Sequence, residues 1–254
     1  MALKTPSEVE ILRQGGRILA QVLALVASAV KPGVTTWALE EIARREIKGR
    51  GATPAFLGYQ NSPAVKPYPA ALCASINSEI VHVTPSKQRV LRAGDIIGLD
   101  LGVKYRGLYT DAAVTVEVGR IGRQQKKLLR ATKNALSAGI KKALAGNRVG
   151  DIAHAIEAVA RKAGFAPVRD LVGHGVGHEI HEDPYVPNYG KPGTLEKLRI
   201  GMVLAIEPMF TTGSHEIVFQ KDGWGVETAD GSLAAHFEHT VAITERGPSV
   251  LTES

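Results

Sequence analysis

Hydrophobic positions follow two different spacings along this chain. Apolar residues recur every three or four positions in four segments, which predicts helices at about 7–30, 36–49, 124–144 and 151–164. Apolar runs typical of buried strands lie at 70–83 and 96–118, and further strands are predicted from about 167 to 245. Ser7 and Glu10 have the spacing of a capping box, which predicts where the first helix begins. The order of two helices followed by strands therefore occurs twice.

The two halves also share a short stretch of sequence. Residues 39–45 (LEEIARR) resemble residues 156–162 (IEAVARK), and both stretches fall in the second predicted helix of their half. No linker, low-complexity tract or charge block marks a separate domain. We therefore expect an α+β fold in one domain spanning residues 1–254, with related halves of about 1–120 and 121–254 that face each other over a shared site.

Four acidic residues interrupt runs that are otherwise typical of buried strands. They are Asp100 in IIGLDLGV, Asp111 at the head of DAAVTVEV, Glu207 in MVLAIEPMF and Glu238 in AAHFEHTVAI. A buried carboxylate without a partner costs several kcal/mol or takes up a proton. If the four converge, two of them at about 4 Å repel each other by roughly 4 kcal/mol at an effective dielectric near 20. Because these runs contain no Arg or Lys, we expect divalent metal between the carboxylates.

Histidine is the other informative residue type. Residues 171–184 (LVGHGVGHEIHEDP) hold His174, His178 and His181 among glycines. Gly175 stands where a zinc-binding HExxH helix needs Glu, and no Walker A, GxSxG or dinucleotide motif is present. Four carboxylates with at least one imidazole favour Mn²⁺, Fe²⁺ or Co²⁺, with zinc as a further candidate. Four acids exceed the need of one ion, so the sequence predicts two ions and metal-assisted hydrolysis.

The order of these residues resembles that of the type I methionine aminopeptidases. The resemblance covers nearly the whole chain, and the matching ligand positions are Asp100, Asp111, His174 in GHGVG, Glu207 in AIEPM and Glu238 in EHTVAIT. That family has the pita-bread fold, in which two pseudo-symmetric halves with a curved antiparallel sheet and outer helices enclose a dinuclear metal site. Its members remove the initiator methionine from peptides and nascent chains whose second residue is small.

The resemblance also implies a role for each residue. Asp111 and Glu238 would bridge both metal ions, Asp100 would chelate one ion, and His174 and Glu207 would complete the other. Glu207 would also take the proton from the attacking water.

Residues that do not bind metal are implied by the same resemblance. His181 is expected near the scissile carbonyl as a donor to the developing oxyanion, and His82 near the substrate amide nitrogen. The expected apolar pocket for the methionine side chain is lined by Tyr59, Tyr68, Cys73 and Trp224. On sequence alone, His82 is also compatible with a simple strand histidine, and Trp224 with an aromatic residue beside a turn.

Two stretches depart from the pattern of this family. The 58–69 loop is longer than the usual GYxGYP, and Val83 follows His82 where the family usually has glycine. Val83 is expected to reshape the pocket rim or to shift His82, and the longer loop to affect the substrate range. Of the remaining histidines, His236 and His154 are interpreted as structural, and His239 as an aid to the orientation of the Glu238 strand. His178 is interpreted as lying on the surface or beside the site.

The composition of the chain indicates the kinds of partner and the cellular compartment to expect. The chain has 31 basic and 25 acidic side chains, which favours a solvated surface with spare lysines, with a weak attraction to RNA or the ribosome surface as the second interpretation. Basic stretches such as 120–130 lack the interleaved aromatic residues that base stacking needs, so no specific nucleic-acid partner is expected. Cys73 is the only cysteine, which excludes an internal disulfide and fits a reducing compartment.

An apolar stretch at 18–30 (ILAQVLALVASAV) resembles the core of a signal peptide. Glu8 and Glu10 precede it, however, where a signal peptide carries only basic charge. The stretch is also shorter than the roughly 20 residues needed to cross a bilayer. We therefore expect a cytoplasmic protein with no membrane partner.

Three functions fit the site and are ranked by sequence. The first is a monomeric methionine aminopeptidase acting on peptide N-termini that begin with Met. The second is a proline-specific pita-bread peptidase, whose members usually carry an additional N-terminal domain that the residues before the first predicted helix do not contain. The third is a metal-free pita-bread module that binds peptides, in which loss of ligands would be expected, whereas all five are present here.

Overall fold

The helices account for the outer layer of the fold. The computed structural model describes residues 3–60 and 62–253. The predicted helices are confirmed there as α1 (Pro6–Ser28), α2 (Thr36–Gly49), α3 (Arg123–Ile140) and α4 (Val149–Ala163). In the part of the chain described, no helix combines the length and apolar character that a membrane span requires.

The first helix begins slightly earlier than its predicted cap. Thr5 is the N-cap residue, and its backbone N–H donates to a Glu8 carboxylate oxygen at 2.7 Å. The Glu8 N–H donates in return to the Thr5 hydroxyl at 3.3 Å. Pro6 then occupies the first turn, where its missing N–H costs nothing. The capping box is therefore Thr5 with Glu8, and the prediction of Ser7 with Glu10 was wrong.

Strands form in the regions where the sequence predicted them, and two further short strands lie outside those regions. In chain order they are β1 (Thr53–Pro54), β2 (Leu72–Ile76), β3 (Glu79–Val81), β4 (Ile96–Tyr105), β5 (Leu108–Glu117), β6 (Ala166–Pro167), β7 (Gly173–Gly175), β8 (Glu182–Val186), β9 (Val203–Ile206), β10 (Met209–Thr211), β11 (Ile217–Phe219), β12 (Val226–Thr228), β13 (Ala234–His236), β14 (Glu238–Thr244) and β15 (Gly247–Val250). The additions are β1 and β15.

One antiparallel sheet joins strands from both parts of the chain. Its order is β1-β4-β5-β14-β9-β7-β8, with β2 paired to β4 and β15 paired to β14. Strand β14 is the junction, because it pairs with β5 on one side and with β9 on the other. Two smaller three-stranded sheets, β13-β10-β6 and β11-β12-β3, flank it.

The four helices pack against one face of the large sheet. Leu19 of α1 packs in a core cluster with Leu99 of β4. Leu128 of α3 packs in a second cluster with Leu204 of β9 and Val241 of β14. Burying one such leucine contributes roughly 1.5–3 kcal/mol. The helices thus fix the sheet from behind and leave its other face available for polar groups.

Candidate metal centre

Strand register places the acidic side chains side by side. Ala113 of β5 pairs with Asp100 of β4 on one side and with Glu238 of β14 on the other. Paired residues point to the same face of a sheet, and so do residues two apart in one strand. Asp111, two residues before Ala113, therefore points to the same face. Asp100 and Asp111 of neighbouring strands meet Glu238 from a distant part of the chain in this way, within regular strand pairing.

The second group of residues reaches the same face from β9 and β7. Ala205 pairs with Thr240 of β14 and with His174 of β7, so His174 shares the face of Glu238. Glu207 follows two residues after Ala205, directly beyond the end of β9. The sheet thus brings together all the predicted metal ligands on the face opposite the helices.

These side chains line a cavity with a volume of about 270 Å³. Every residue that the sequence singled out for metal, substrate or catalysis lies along its wall: Tyr59, Tyr68, Cys73, His82, Asp100, Asp111, His174, His181, Glu207, Trp224 and Glu238. Phe56, Val81 and Leu171 add apolar surface to the same wall.

The carboxylates of the cavity have too few partners. Among the described residues, Asp100 Oδ1, Asp111 Oδ1 and Glu238 Oε1 are buried without any hydrogen bond. Burial raises the pKa of Asp100 to about 7 and that of Glu207 to about 8. Burial, together with the neighbouring carboxylates, also raises the pKa of Asp111 and of Glu238 well above the ordinary range. Such a cluster is stable when divalent cations neutralise it.

Three of these side chains are close enough together to bind one metal ion. Asp111, His174 and Glu238 each offer one ligand atom, and these atoms lie within 4.8 Å of one another. His174 Nδ1 lies 2.8 Å from the Gly175 carbonyl oxygen, so the Nδ1 proton is donated there and Nε2 is free to bind metal. That Nε2 lies 3.5 Å from Glu207 Oε1. Burial lowers the pKa of His174 to about 3, which keeps the imidazole neutral as a ligand must be.

Comparison with known proteins agrees with this geometry. The model of metallopeptidase family M24 matches residues 10–245. The chain belongs to metallopeptidase family M24. It is 51% identical to a methionine aminopeptidase of Aquifex aeolicus over 99% of this chain and 98% of the relative. It is 45% identical to a methionine aminopeptidase 1 of Bacillus subtilis over 98% of each.

Solved structures confirm the expected pita-bread fold of this M24 peptidase. The crystal structure of a methionine aminopeptidase from Thermotoga maritima matches with a TM-score of 0.96 and 45% identity, covering 100% of both chains. A prolidase from Pyrococcus furiosus matches with a TM-score of 0.77 and 23% identity, covering 99% of this chain and 65% of that one. The prolidase match shows a shared fold only.

Two further histidines of the M24 chain face the cavity. His181 Nδ1 lies 2.8 Å from the Tyr59 hydroxyl, and the His181 ring lies 4.5 Å from the His174 ring, centroid to centroid. His82 directly follows β3 and has φ of +60°, a conformation that is strained for a residue with a side chain. His82 is therefore not a strand residue. Burial lowers the pKa of His82 and of His181 to about 4 each, so both rings are neutral near pH 7.

The long loop keeps its pocket residues in place. The Gly58 N–H donates to the Tyr68 carbonyl, and the Tyr68 N–H donates to the Tyr59 carbonyl, both at 2.8 Å. These two bonds close the base of the loop and hold Tyr59 and Tyr68 together. The Trp224 indole N–H donates to the Lys66 carbonyl at 2.8 Å, and the Trp224 ring packs 5.3 Å from that of Tyr68. The aromatic pocket is thus compatible with a longer loop.

Val83 does not open the pocket wall either. Its side chain is buried, and its carbonyl accepts hydrogen bonds from the Ala74 N–H at 2.9 Å and from the Tyr68 hydroxyl at 3.3 Å. The residue after His82 therefore fastens the pocket wall through its backbone.

One residue beside the site was missed in the sequence. His236, interpreted there as structural, is buried with Nε2 3.5 Å from Glu207 Oε2, and this nitrogen has no hydrogen bond among the described residues. Its backbone is fixed by Thr115, whose hydroxyl accepts from the His236 N–H at 2.9 Å and donates to the His236 carbonyl at 2.8 Å. The signal available in the sequence was its position two residues before Glu238.

The pKa values predict how pH affects the metal-free protein. The pKa of Asp100 rises from an ordinary 3.8 to about 7, and that of Glu207 from 4.5 to about 8. The folded state therefore holds protons that the unfolded chain releases. Their stabilising contribution is complete below the ordinary values and is lost as the pH rises to about 8. The pKa values of His82, His174 and His181 are lowered instead, so these residues make the folded state more stable as the pH rises. Their effect is confined to pH values below their ordinary pKa of 6.5.

We therefore expect the melting temperature in excess chelator to fall between pH 6.5 and pH 8, the window in which the carboxylates act alone. Saturating Mn²⁺ should abolish most of that decline, because bound cations replace the protons. Thermal unfolding followed by circular dichroism checks both statements. A melting temperature that rises with pH in chelator would contradict the assigned electrostatics.

Proposed function

We propose that this protein removes the initiator methionine from nascent proteins and peptides whose second residue is small. The observation that carries the proposal is a cavity lined both by the carboxylate and histidine cluster and by the aromatic rings of Tyr59, Tyr68 and Trp224. The relatives named methionine aminopeptidase, at 41–51% identity over nearly the whole chain, support the same substrate. The proline-specific alternative is supported only by matches that share the fold.

We further propose two divalent ions per chain, Mn²⁺, Fe²⁺ or Co²⁺, with zinc as a further candidate. Asp111 and Glu238 would bridge them, Asp100 would chelate one, and His174 and Glu207 would complete the other. The unpartnered oxygens of the acids and the free Nε2 of His174 support this assignment. When bound, such ions acidify water and polarise the carbonyl group that is attacked.

The chain's own residues supply the proton transfers and the orientation. Glu207 would take the proton of the attacking water. His181, neutral and with Nδ1 occupied by the Tyr59 hydroxyl, can present its Nε2–H to the oxygen that becomes negative in the transition state. His82 would lie beside the substrate amide nitrogen; its position in the cavity wall and its unusual backbone conformation support this role.

Recognition of methionine falls to Tyr59, Tyr68, Cys73 and Trp224. The Trp224 ring lies close to the other two, with its centroid 6.3 Å from that of Tyr59 and 5.3 Å from that of Tyr68. A thioether is polarizable and makes favourable contacts with aromatic rings and with sulfur. The proposed dinuclear centre would supply the anionic or metal-bound partner that the substrate amino group needs, which restricts the reaction to a chain end.

Selectivity at the second residue provides the test of this function. Purified protein loaded with Mn²⁺ or Co²⁺ is expected to release methionine from Met-Ala-Ser and to leave Met-Lys-Ser essentially intact. Lys-Ala-Ser is the matched control for the first position and should not be cleaved. Liquid chromatography of the free amino acids measures all three. Equal cleavage of the two Met peptides removes the specificity claim, and preference for Xaa-Pro peptides would favour the proline-specific alternative.

We also propose that the chain is a single catalytic domain with related halves of about 1–120 and 121–254, and that it works as a cytoplasmic monomer. The free, buried thiol of Cys73 supports a reducing compartment. The formal charge of +6 is compatible with a weak association with the ribosome.

A further inference from the structure

A buried ion pair joins the start of the chain to the segment that carries His181. Lys4 Nζ lies 2.5 Å from Glu182 Oε2, and the two side chains are 0% and 11% exposed. The Lys4 N–H also donates to the Gly201 carbonyl at 2.7 Å, which fixes the backbone at this point. A buried charge of this kind depends on its partner, because losing either one leaves the other uncompensated.

Glu182 is at the same time the group that closes the turn at residues 177–182. Its Oε1 accepts the N–H groups of His178 at 2.6 Å and of Glu179 at 3.0 Å. Burial alone would raise the pKa of Glu182, but the hydrogen bonds from Lys4 and from these amides lower it. The carboxylate therefore stays charged and holds both ends of the 177–182 turn.

The stem of Lys4 also lies directly against this turn. Gly177 has φ of +143°, and a Cβ placed on it would lie 2.3 Å from Lys4 Cε. Only glycine fits at this approach. The contact means that Lys4 supports the turn by packing as well as by charge.

A second contact with the 177–182 turn involves Glu8, four residues after Lys4. Glu8 Oε1 lies 2.7 Å from His178 Nε2, and this hydrogen bond is the main reason why the pKa of Glu8 falls to about 2. Glu8 is also the capping-box partner of Thr5 at the start of α1. The beginning of α1 is thus attached to the 177–182 turn at two points, a buried one and an outer one.

The 177–182 turn matters for the reaction because it places His181. From the turn, this ring reaches the Tyr59 hydroxyl at 2.8 Å and packs against the His174 ring. We propose that Lys4 and Glu182, assisted by Glu8 and His178, are positioning residues that hold His181 at the reacting carbonyl. This inference rests on the proposed function, because it assigns a cause to the position of the oxyanion donor.

A double-mutant cycle on the buried pair tests it. Lys4→Met keeps the stem against Gly177 and removes the charge, and Glu182→Gln removes the opposite charge. Each is expected to lower kcat on Met-Ala-Ser by roughly 10- to 100-fold, the loss typical of a misplaced catalytic group, with a much smaller change in KM. The double variant should lose no more than the worse single variant, because no charge is left unpaired. Arg50→Met, which breaks the surface pair with Glu46, is the matched control and should leave kcat unchanged.

A second measurement does not depend on activity. Hydrogen exchange of the metal-free protein should show faster exchange of the amides in the 177–182 turn for Lys4→Met, with α3 and α4 unchanged. Unaltered kcat together with unaltered exchange in the turn would overturn the inference. If Lys4→Met does not fold, His178→Leu is used instead, because it removes only the Glu8–His178 hydrogen bond. This variant must show a decrease in kcat smaller than the one expected for loss of the buried pair, together with faster exchange in the same turn. Failure of the wild-type protein to release methionine would instead reject the proposed function, and the exchange result would still decide the role of Lys4.

Discussion

Replacement of Asp111 by asparagine is expected to lower kcat by more than about 100-fold while the fold is retained, since partners that merely orient a metal ligand already cost 10- to 100-fold when they are removed. Asp111 is 3% exposed, its Oδ1 has no hydrogen bond among the described residues, and it lies in one ligand group with His174 and Glu238. An amide oxygen in its place would be a weaker ligand and could not balance the charge of the two proposed cations.

The same variant should affect stability in the opposite direction when metal is absent. Burial and the charge of Asp100 together raise the pKa of Asp111, so a neutral amide there removes an unfavourable group from the folded state. In excess chelator, Asp111→Asn should melt at a temperature equal to or above that of the wild type, and added Mn²⁺ should stabilise it less. Glu245→Gln, at an exposed acid, is the control for loss of one charge. Near-normal turnover of Asp111→Asn would exclude its role as a bridging ligand.

Replacement of His181 by alanine is expected to have the second largest effect. Removing one oxyanion donor typically costs about 10²–10³ in kcat, or about 2.7–4 kcal/mol. His181 is held by Tyr59 at Nδ1 and is neutral near pH 7, so its contribution is a directed N–H group. Because this hydrogen bond strengthens only as the oxyanion forms, KM should change little.

Steady-state kinetics on Met-Ala-Ser at saturating metal measures this effect. His215→Ala, at a histidine outside the lining of the cavity, should leave both constants unchanged. Metal content should stay at the wild-type level in His181→Ala, because this ring is not an assigned ligand. A change confined to KM would reassign His181 to substrate binding.

The four acids that meet in the cavity could be singled out in the sequence because they violate the pattern around them. Asp100 and Asp111 interrupt strand-like apolar runs, and a buried acid needs a physical reason. Their arrangement was not predictable in the same way, since it depends on register. The pairing of Ala113 with Asp100 on one side and Glu238 on the other is a property of three strands, of which two are distant in sequence.

The other differences have separate causes. Thr5 rather than Ser7 caps α1 because it forms the capping box with Glu8, and Pro6 is suited to the first turn that follows. The extended loop keeps the spacing of Tyr59 and Tyr68 through two backbone hydrogen bonds that the loop length does not reveal. His236 was undervalued because only the folded chain places it 3.5 Å from Glu207.

The location of bound metal tests the central claim most directly. Crystals of the protein loaded with Mn²⁺ should show two anomalous peaks about 3.5–4 Å apart between the assigned side chains. Asp111 and Glu238 should contact both peaks, with Asp100 at one, and His174 and Glu207 at the other. Absence of manganese from this cavity, or any of the five side chains lying outside the metal cluster, would contradict the account.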